Sequence, residues 1–306
     1  MSDLETNEEN EPVADDRANL FKAIFWITGT LLSFLTLAIA VRELSDTLNS
    51  FQIMFMRTIV ALFVILVFVA KTGSAALHTR RLKFHFFRNI VHYGATLSWI
   101  VGVSLIPLAQ VFALEFTMPI WVAILAVTFL GERMTIGKLV AIIFGFFGVL
   151  IILRPGLVAI EFGSIIVLVA SMGFAIASVC AKSLASTDTP LGIQFYMFII
   201  HLPIAAIGGL YVWVTPEWAD LPWILLTGIL SLTAHYTMTK ALILADISVV
   251  LPIDFLRMPM IAVLGFFLYA EPFSAAIFIG AVLIFAGNYY NIRAESRSHD
   301  RVDNKH

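Results

Sequence analysis

Charged residues are scarce in this chain, and their scarcity excludes most classes of soluble protein. Asp, Glu, Lys and Arg make up 13% of the 306 residues, whereas a soluble domain carries about 25%. Hydrophobic residues make up 60%, and the mean hydropathy is +0.93. Because a water-soluble fold of this composition would expose too much apolar surface, we expect the lipid bilayer to surround the chain. The net charge of −2 gives no indication of nucleic-acid binding.

The residues that three kinds of chemistry require are also missing. Cys180 is the only cysteine, so the chain has no internal disulfide. No glycine-rich loop ends in Lys-Ser or Lys-Thr, which argues against an ATP-driven pump. No two His or Cys residues have the spacing of metal ligands on one plausible face. We therefore expect no metal, no cofactor and no enzymatic activity.

Long apolar runs are what the sequence does contain. A membrane-spanning helix needs roughly 20 mainly apolar residues. The sequence predicts an all-α integral membrane protein with ten such helices, at about residues 21–41, 51–70, 86–106, 108–130, 137–153, 162–181, 191–214, 221–243, 247–269 and 273–292. Residues 1–20 and 294–306 are polar, the first segment strongly acidic, and we expect both to be disordered tails.

The positions of Lys and Arg orient the predicted helices. With ten spans, both ends of the chain lie on one side of the membrane. Nearly all loop Lys and Arg residues fall on that side, and only Arg42 and Arg154 fall on the other. Arg88 lies near a helix end, where a long side chain can extend to the interface. Because basic residues favour the cytoplasmic side, we predict a multi-pass protein of a bacterial-type inner membrane with both termini cytoplasmic.

An internal sequence repeat divides the chain into two halves. Three residues recur with the same spacing of 139 positions, as Glu132 and Glu271, Gly148 and Gly287, and Arg154 and Arg293. Each copy holds five predicted helices, and because five is odd the second copy enters the membrane from the opposite side. We therefore predict two inverted five-helix repeats, over residues 21–156 and 157–293.

Ionisable residues inside the predicted spans are the first candidates for a functional site. Glu115 and Asp254 are also 139 positions apart, and each lies about 10 Å into its helix at a rise of 1.5 Å per residue. A charged group inside a membrane costs several kcal/mol, so its presence indicates a structural partner or a function. We predict that both bind substrate or a coupling proton. Arg257 lies three residues after Asp254 and can pair with it, and Arg57 can pair with Glu115 or bind an anionic group.

Aromatic residues suggest the wall of a cavity. His92-Tyr93 and His235-Tyr236 form a second repeated pair, and Trp99 follows His92 by two helical turns. Such side chains present an apolar body and a polar tip, which suits a wet cavity wall that stacks an aromatic ring. Ordinary packing of these residues explains the pattern equally well, and the sequence does not distinguish the two interpretations.

Prolines and small residues mark the helices that move or pack. Pro119 and Pro259 lie in the middle of equivalent predicted spans, where a proline kinks a helix, and we predict a gating role for both. Small residues recur at helix-contact spacing in the fifth and tenth spans, including Gly145, Gly148 and Gly280. They favour contact with another helix or with a second copy of the chain, so a homodimer is one expectation.

Several motifs resemble a known family. They are Phe55-Met-Arg57 with Ala61, Pro119-Ile-Trp-Val-Ala-Ile-Leu, Phe129-Leu-Gly-Glu132, Gly145-Phe-Phe-Gly148-Val-Leu and Leu153-Arg-Pro-Gly156. Together they resemble the drug/metabolite transporter superfamily, EamA type. The second copy is looser, because Pro259, Glu271, Gly280 and Gly287 persist but no arginine matches Arg57.

The resemblance implies ten helices in two inverted repeats and alternating access at a central cavity. It implies a secondary active transporter of a small organic solute, such as riboflavin, a nucleoside-like metabolite, an amino acid or S-adenosylmethionine. Two other classes remain open. One is a membrane-embedded enzyme acting on lipid, which would need a nucleophile or a metal cluster at an interface. The other is a sensor or assembly protein that binds a solute without moving it.

Overall fold

A computed structural model describes residues 11–129, 133–245 and 247–303, so Glu132 lies outside the described residues. This part of the chain forms twelve α-helices and one turn of 3-10 helix at Ser74–Leu77. The α-helices are α1 (Glu11–Leu44), α2 (Ser50–Thr72), α3 (Leu82–Leu105), α4 (Leu108–Glu115), α5 (Met118–Phe129), α6 (Ile136–Leu153), α7 (Phe162–Leu184), α8 (Pro190–Tyr211), α9 (Leu221–Leu244), α10 (Ile247–Asp254), α11 (Arg257–Tyr269) and α12 (Ala275–Asp303).

Eight helical segments in the described chain are long and apolar enough to cross a membrane. They lie within α1, α2, α4–α5, α6, α7, α8, α10–α11 and α12. Helices α3 and α9 are also long, but α3 carries Arg88, Asn89 and His92 along one buried face. The prediction of an all-helical membrane protein is confirmed, whereas ten spans and an inverted relation between the halves stay predictions.

Two predicted spans are each built from two short helices, and the breaks occur at equivalent positions. Helix α4 ends at Glu115 and α5 begins at Met118, while α10 ends at Asp254 and α11 begins at Arg257. Each position in the first break lies 139 residues before its counterpart in the second. The internal repeat in the sequence therefore also appears in the backbone, at the two candidate carboxylates.

The two mid-span prolines lie beside the helix breaks. Pro119 and Pro259 lie in the first turns of α5 and α11 rather than in the middle of a continuous helix. A proline is well tolerated in a first turn, because the backbone N–H that it lacks would have no partner within the helix. Both prolines therefore start a new helix after a break.

The helices pack in reciprocal pairs across the two halves. The most extensive contacts between helices are those of α6 with α12, α1 with α9, α3 with α7, and α2 with α8. When each broken pair is counted as one helix, the first helix of either half packs against the third of the other. The second helices pack together, and so do the fifth. Two-fold related copies require such reciprocity.

Small residues allow α6 and α12 to approach closely within one chain. A Cβ atom added to Gly148 would lie 2.7 Å from the Gly280 carbonyl oxygen, and one added to Gly280 would lie 2.5 Å from the Gly148 carbonyl oxygen. The two backbones are therefore in contact, and a larger residue at either position would push the helices apart. Gly148 and Gly280 therefore pack two helices of the same chain against each other. A homodimer stays a prediction.

The first and last helices extend into the two segments that are predicted to be disordered tails. Helix α1 begins at Glu11 and α12 continues to Asp303. A helix that is already nucleated gains one hydrogen bond for each residue added, so a polar flank can continue a membrane helix beyond its apolar part.

One carboxylate fastens an end of the bundle. Glu271 pairs with Arg42 at 2.9 Å, and it accepts a hydrogen bond from the backbone N–H of Leu108 at 2.9 Å. Leu108 is the first residue of α4, so the carboxylate caps the positive end of that helix. Arg42 also donates to the Ile106 carbonyl oxygen at 2.6 Å. This Glu271 latch (Arg42, Leu108 and Glu271) joins α1, α4 and the turn between α11 and α12.

The latch has a charge state that depends on pH. Burial raises the pKa of the Glu271 carboxyl above its ordinary value near 4.5, although the Leu108 N–H and the Arg42 charge lower it. The folded protein therefore holds this proton more tightly than the unfolded chain does. The protonated Glu271 carboxyl therefore stabilises the folded chain. This contribution to the free energy of unfolding is complete at a pH below the ordinary pKa and is lost as the pH rises through the raised pKa.

Replacing Glu271 with Gln should remove this pH-dependent component of stability. The thermal unfolding midpoint of the wild-type chain should fall, relative to that of Glu271→Gln, as the pH rises above about 4.5. Unfolding in detergent across that range of pH measures the difference between the two proteins. Asp46→Asn changes an exposed acid at the same end of the bundle and should retain the wild-type profile. If the unfolding midpoints of Glu271→Gln and the wild type depend on pH in the same way, Glu271 is not the source of this pH dependence.

Candidate functional site

An arginine of the second half holds one carboxylate from each half. Arg257, the first residue of α11, donates from Nη2 to Asp254 Oδ2 at 2.7 Å. Its Nη1 lies 3.5 Å from Oε1 of Glu115, the last residue of α4. Asp254 is 4% exposed and Arg257 is 5% exposed, so this ion pair is shielded from bulk water. The three residues, called here the central triad, lie at the two helix breaks.

Aromatic side chains surround the triad. Trp99 of α3 donates its indole N–H to Glu115 Oε2 at 2.7 Å. The Arg257 guanidinium carbon lies 4.5 Å from the ring centre of Phe34, 5.0 Å from that of Phe116 and 5.6 Å from that of Phe112. At these distances a cation is attracted to the ring faces. The rings therefore help to hold the guanidinium charge in a place from which water is largely excluded.

The two helix breaks meet at the triad, and polar side chains of neighbouring helices satisfy the first break. The Phe116 and Phe255 rings, one from each break, have centroids 4.9 Å apart. Asn288 of α12 donates to the Phe116 carbonyl oxygen at 3.0 Å. Thr117 is within hydrogen-bond distance of Ser171 at 2.8 Å. Irregular backbone at membrane depth is tolerated where protein groups satisfy it in this way.

The triad has more acidic groups than basic ones. Two carboxyl groups face one guanidinium, so the net charge is −1 when both are ionised. Asp254 Oδ1 is buried and has no hydrogen-bond donor among the described residues. An unsatisfied acceptor in a low-dielectric site is costly, so it favours a proton or a donor group on a solute. The arrangement can therefore take up a proton or a cationic or hydrogen-bond-donating group.

Three histidines form a second cluster nearer the N-terminus of α3. The His92 ring stacks on His201 of α8, with centroids 5.4 Å apart and planes 19° apart, and lies 6.4 Å from His235 of α9. Tyr93 contacts His201 edge-on at 5.5 Å. The described residues contain no set of three His, Cys, Asp or Glu side chains arranged to hold a metal ion. His201 was not among the predicted site residues, although a polar residue inside the apolar run of α8 was a usable signal.

Two arginines lie beside these histidines. Arg57 of α2 is 6% exposed and Arg88 of α3 is 7% exposed. Both interact electrostatically with each of the three rings. Arg88 was expected to extend to the membrane interface, but its position one turn before His92 points it inward, where it donates to the side chain of Asn89 at 2.7 Å.

One face of α3 connects the two clusters. Arg88, His92, Thr96 and Trp99 are all buried on α3 and follow one another at helical spacing. Trp99 lies about 10 Å along the helix from His92, because seven residues separate them at 1.5 Å each. The helix therefore carries a continuous polar stripe from the histidine cluster to the central triad.

The structure does not bring every predicted site residue into these clusters. Tyr236 is 57% exposed and packs edge-on against Trp26 at 5.9 Å. Its hydroxyl therefore lies away from the triad, although the neighbouring residue His235 joins the histidine cluster. Pro119 and Pro259 lie just after the breaks rather than on the clusters themselves.

Named bacterial transporters resemble this chain over most of its length. An S-adenosylmethionine uptake transporter of Rickettsia bellii is 25% identical over 275 residues, which cover 90% of this chain and 94% of that protein. A riboflavin transporter of Rhizobium johnstonii is 29% identical over 233 residues, which cover 75% of this chain and 76% of that protein. A riboflavin transporter of Brucella anthropi is 29% identical and covers 80% of this chain and 88% of that protein.

A solved crystal structure shares the fold. It superposes with a TM-score of 0.63 over 90% of this chain and 98% of the other, at 17% sequence identity. The model of the EamA-like transporter family matches this chain twice, at residues 21–154 and again at residues 161–293. Since these two matches together account for most of the sequence, the chain belongs to the EamA-like transporter family.

Proposed function

We propose that this chain is a secondary active transporter that moves a small organic metabolite across the inner membrane by alternating access. The observation that carries the proposal is the central triad, in which Arg257 joins Glu115 of one half to Asp254 of the other. Discontinuous helices whose ends meet near the middle of the membrane are the usual binding sites of secondary transporters. A site built from both halves changes its exposure when one half rocks against the other.

The Glu271 latch supports this motion. It fastens α1 and α4 of the first half to the turn before α12 of the second half. In the predicted orientation, this end of the bundle faces away from the cytoplasm. Release of one ion pair and one helix cap would open that end and leave the central triad intact. The latch is therefore suited to act as a gate rather than as part of the binding site.

The surroundings of the triad favour a solute with a flat ring. Trp99, Phe34, Phe112 and Phe116 present ring faces or edges next to the charges. The relatives named above are described as transporters of S-adenosylmethionine and of riboflavin, and both molecules contain fused aromatic rings. S-Adenosylmethionine also carries positive groups, which the excess of acidic groups in the triad would attract. We therefore propose a ring-containing metabolite as the substrate, exchanged for protons or for a second solute at Glu115 and Asp254.

Neutralising either carboxylate should stop transport while the protein remains folded. Glu115→Gln and Asp254→Asn each remove a charge that binds the solute or the coupling proton, so the initial rate should fall by at least about tenfold, the effect of about 1.4 kcal/mol. The measurement is counterflow of labelled S-adenosylmethionine or riboflavin in proteoliposomes, with equal amounts of protein. Glu217→Gln alters an exposed acid and should leave counterflow unchanged. Full counterflow by both site variants would exclude the proposed role of the carboxylates.

The same assay separates this proposal from the two rival classes. A sensor would bind the labelled solute without carrying it into sealed vesicles. An enzyme would return a chemically altered label, which chromatography of the vesicle contents detects.

Replacing Trp99 with Phe tests the contact between the ring and the acid. The variant keeps an aromatic ring but removes the N–H that Glu115 accepts, and a hydrogen bond to a charged group contributes about 1.5–3 kcal/mol. The half-saturating solute concentration in counterflow should therefore rise by about tenfold or more. Trp213→Phe makes the same exchange at a side chain that is 44% exposed and should have no effect. Equal half-saturation for the wild type and Trp99→Phe would show that this hydrogen bond has no role in binding.

A further inference from the structure

Two buried positive charges beside the histidine cluster have no carboxylate partner among the residues that the structure describes. The ion pairs found in the described part of the chain join Arg42 to Glu271, His85 to Asp188, and Arg257 to Glu115 and Asp254. Arg57 and Arg88 take part in none of them. A buried charge is stable only when it is paired and hydrogen-bonded. The described part of the chain does not supply the anion that would normally accompany these two guanidinium groups.

The hydrogen bonds of the two arginines are also incomplete. Arg57 donates from Nη1 to the Met54 sulfur at 3.6 Å, and a thioether is a weak acceptor. Arg57 Nε, Arg88 Nε and Asn89 Nδ2 are buried and have no hydrogen-bond partner among the described residues. Three donors without acceptors in one cluster fit an acceptor-rich ligand, since each unsatisfied buried donor destabilises the structure.

We propose that Arg57, Arg88 and Asn89, together with the three histidines, form an anion subsite that binds a carboxylate or phosphate group of the transported solute. This inference rests on the proposed function and extends it to the class of substrate. Guanidinium groups bind both kinds of anion through paired N–H donors. The stacked His92 and His201 rings form one wall of the subsite, and Tyr93 packs against His201.

The position of the subsite defines the shape and polarity of the solute. It lies about 10 Å along α3 from Trp99 and the central triad. A solute that occupies both clusters has an anionic group at one end and a cationic or donor group at the other. The burial of Arg57 and Arg88 favours a soluble metabolite over a lipid headgroup, because lipid reaches side chains on the outer surface of the bundle.

Thermal unfolding of the purified full-length chain in detergent tests the subsite with small anions. Phosphate or acetate replaces chloride at constant ionic strength. Each anion should raise the unfolding midpoint of the wild type with a saturable concentration dependence, by about 3 °C at ten times the half-saturating concentration. Arg57→Gln and Arg88→Gln should lose most of this shift. Arg80→Gln removes an exposed arginine and should retain it.

Several results of this experiment would overturn the anion subsite. A wild-type shift no larger in phosphate or acetate than in chloride would overturn it, and so would full shifts in both glutamine variants. If Arg57→Gln does not fold, Arg57→Lys keeps the charge without the paired donors and should show a reduced shift. Phosphatidylglycerol added to the detergent should have no such effect. A shift produced by that lipid alone would assign the cluster to a headgroup and overturn the proposal.

Anion binding and transport can fail separately. Glu115→Gln should keep the phosphate shift and lose counterflow, because the mutated carboxylate belongs to the other cluster. A wild-type chain that shows the phosphate shift but never moves labelled solute would contradict the proposed transport function and leave the anion subsite standing. A chain that shows counterflow without any anion shift would contradict the subsite alone.

Discussion

The interaction on which this structure depends is the pairing of Arg257 with Glu115 and Asp254. Each of these charges alone would be costly at this depth, since the effective penalty for burying an isolated ion is several kcal/mol. Together they are tolerable, because the guanidinium faces both carboxylates and three aromatic rings. The ends of two broken helices, one from each half, are therefore held at one point. The packing of α6 against α12 brings Asn288 to the same place, where it satisfies the backbone of the first break.

The triad is also where the two halves of the chain differ. Glu115 and Phe116 have Asp254 and Phe255 as counterparts, but the counterpart of Arg257 is Met118. One arginine therefore serves two acids, and the site has a single cation where strict symmetry would supply two. The histidine cluster shows a second departure, since Arg57 has no equivalent in the second half. The helices thus carry a cluster rich in acidic groups and a cluster rich in basic groups along α3, and this polarity suits an asymmetric solute.

Much of this arrangement could be predicted from the sequence, because apolar runs and an internal repeat are local or periodic signals. The spacing of 139 residues located Glu115 and Asp254, and it also applies to the helix breaks. The breaks themselves were not predicted, because a charged residue within an apolar run, such as Glu115 or Asp254, does not by itself show whether the helix is interrupted there. Pro119 and Pro259 start new helices instead of kinking continuous ones, and a first turn and a mid-helix kink look alike in a sequence when the break is not visible. Their gating role stays a prediction.

The residues missed at the histidine cluster show a different limit of sequence information. Arg88 was assigned to the interface because its distance from the helix end allowed a snorkelling side chain, and sequence position alone does not show which face of α3 points inward. His201 was missed because it joins the cluster only through the packing of α3 with α8, between residues that are more than 100 positions apart. Long-range packing of this kind decides which polar residues meet.

A double-mutant cycle between Arg257 and Glu115 tests the central claim most directly. Arg257→Met introduces the residue that occupies the equivalent position in the first half, and Glu115→Gln removes the charge that it faces. The free energies of unfolding of both single variants and the double variant would be measured in detergent. If Arg257 joins the two halves through Glu115, the double variant should be more stable than the sum of the single effects predicts, by about 0.5–3 kcal/mol. Single effects that add to within about 0.5 kcal/mol would contradict the claim that this charge pair holds the two halves together.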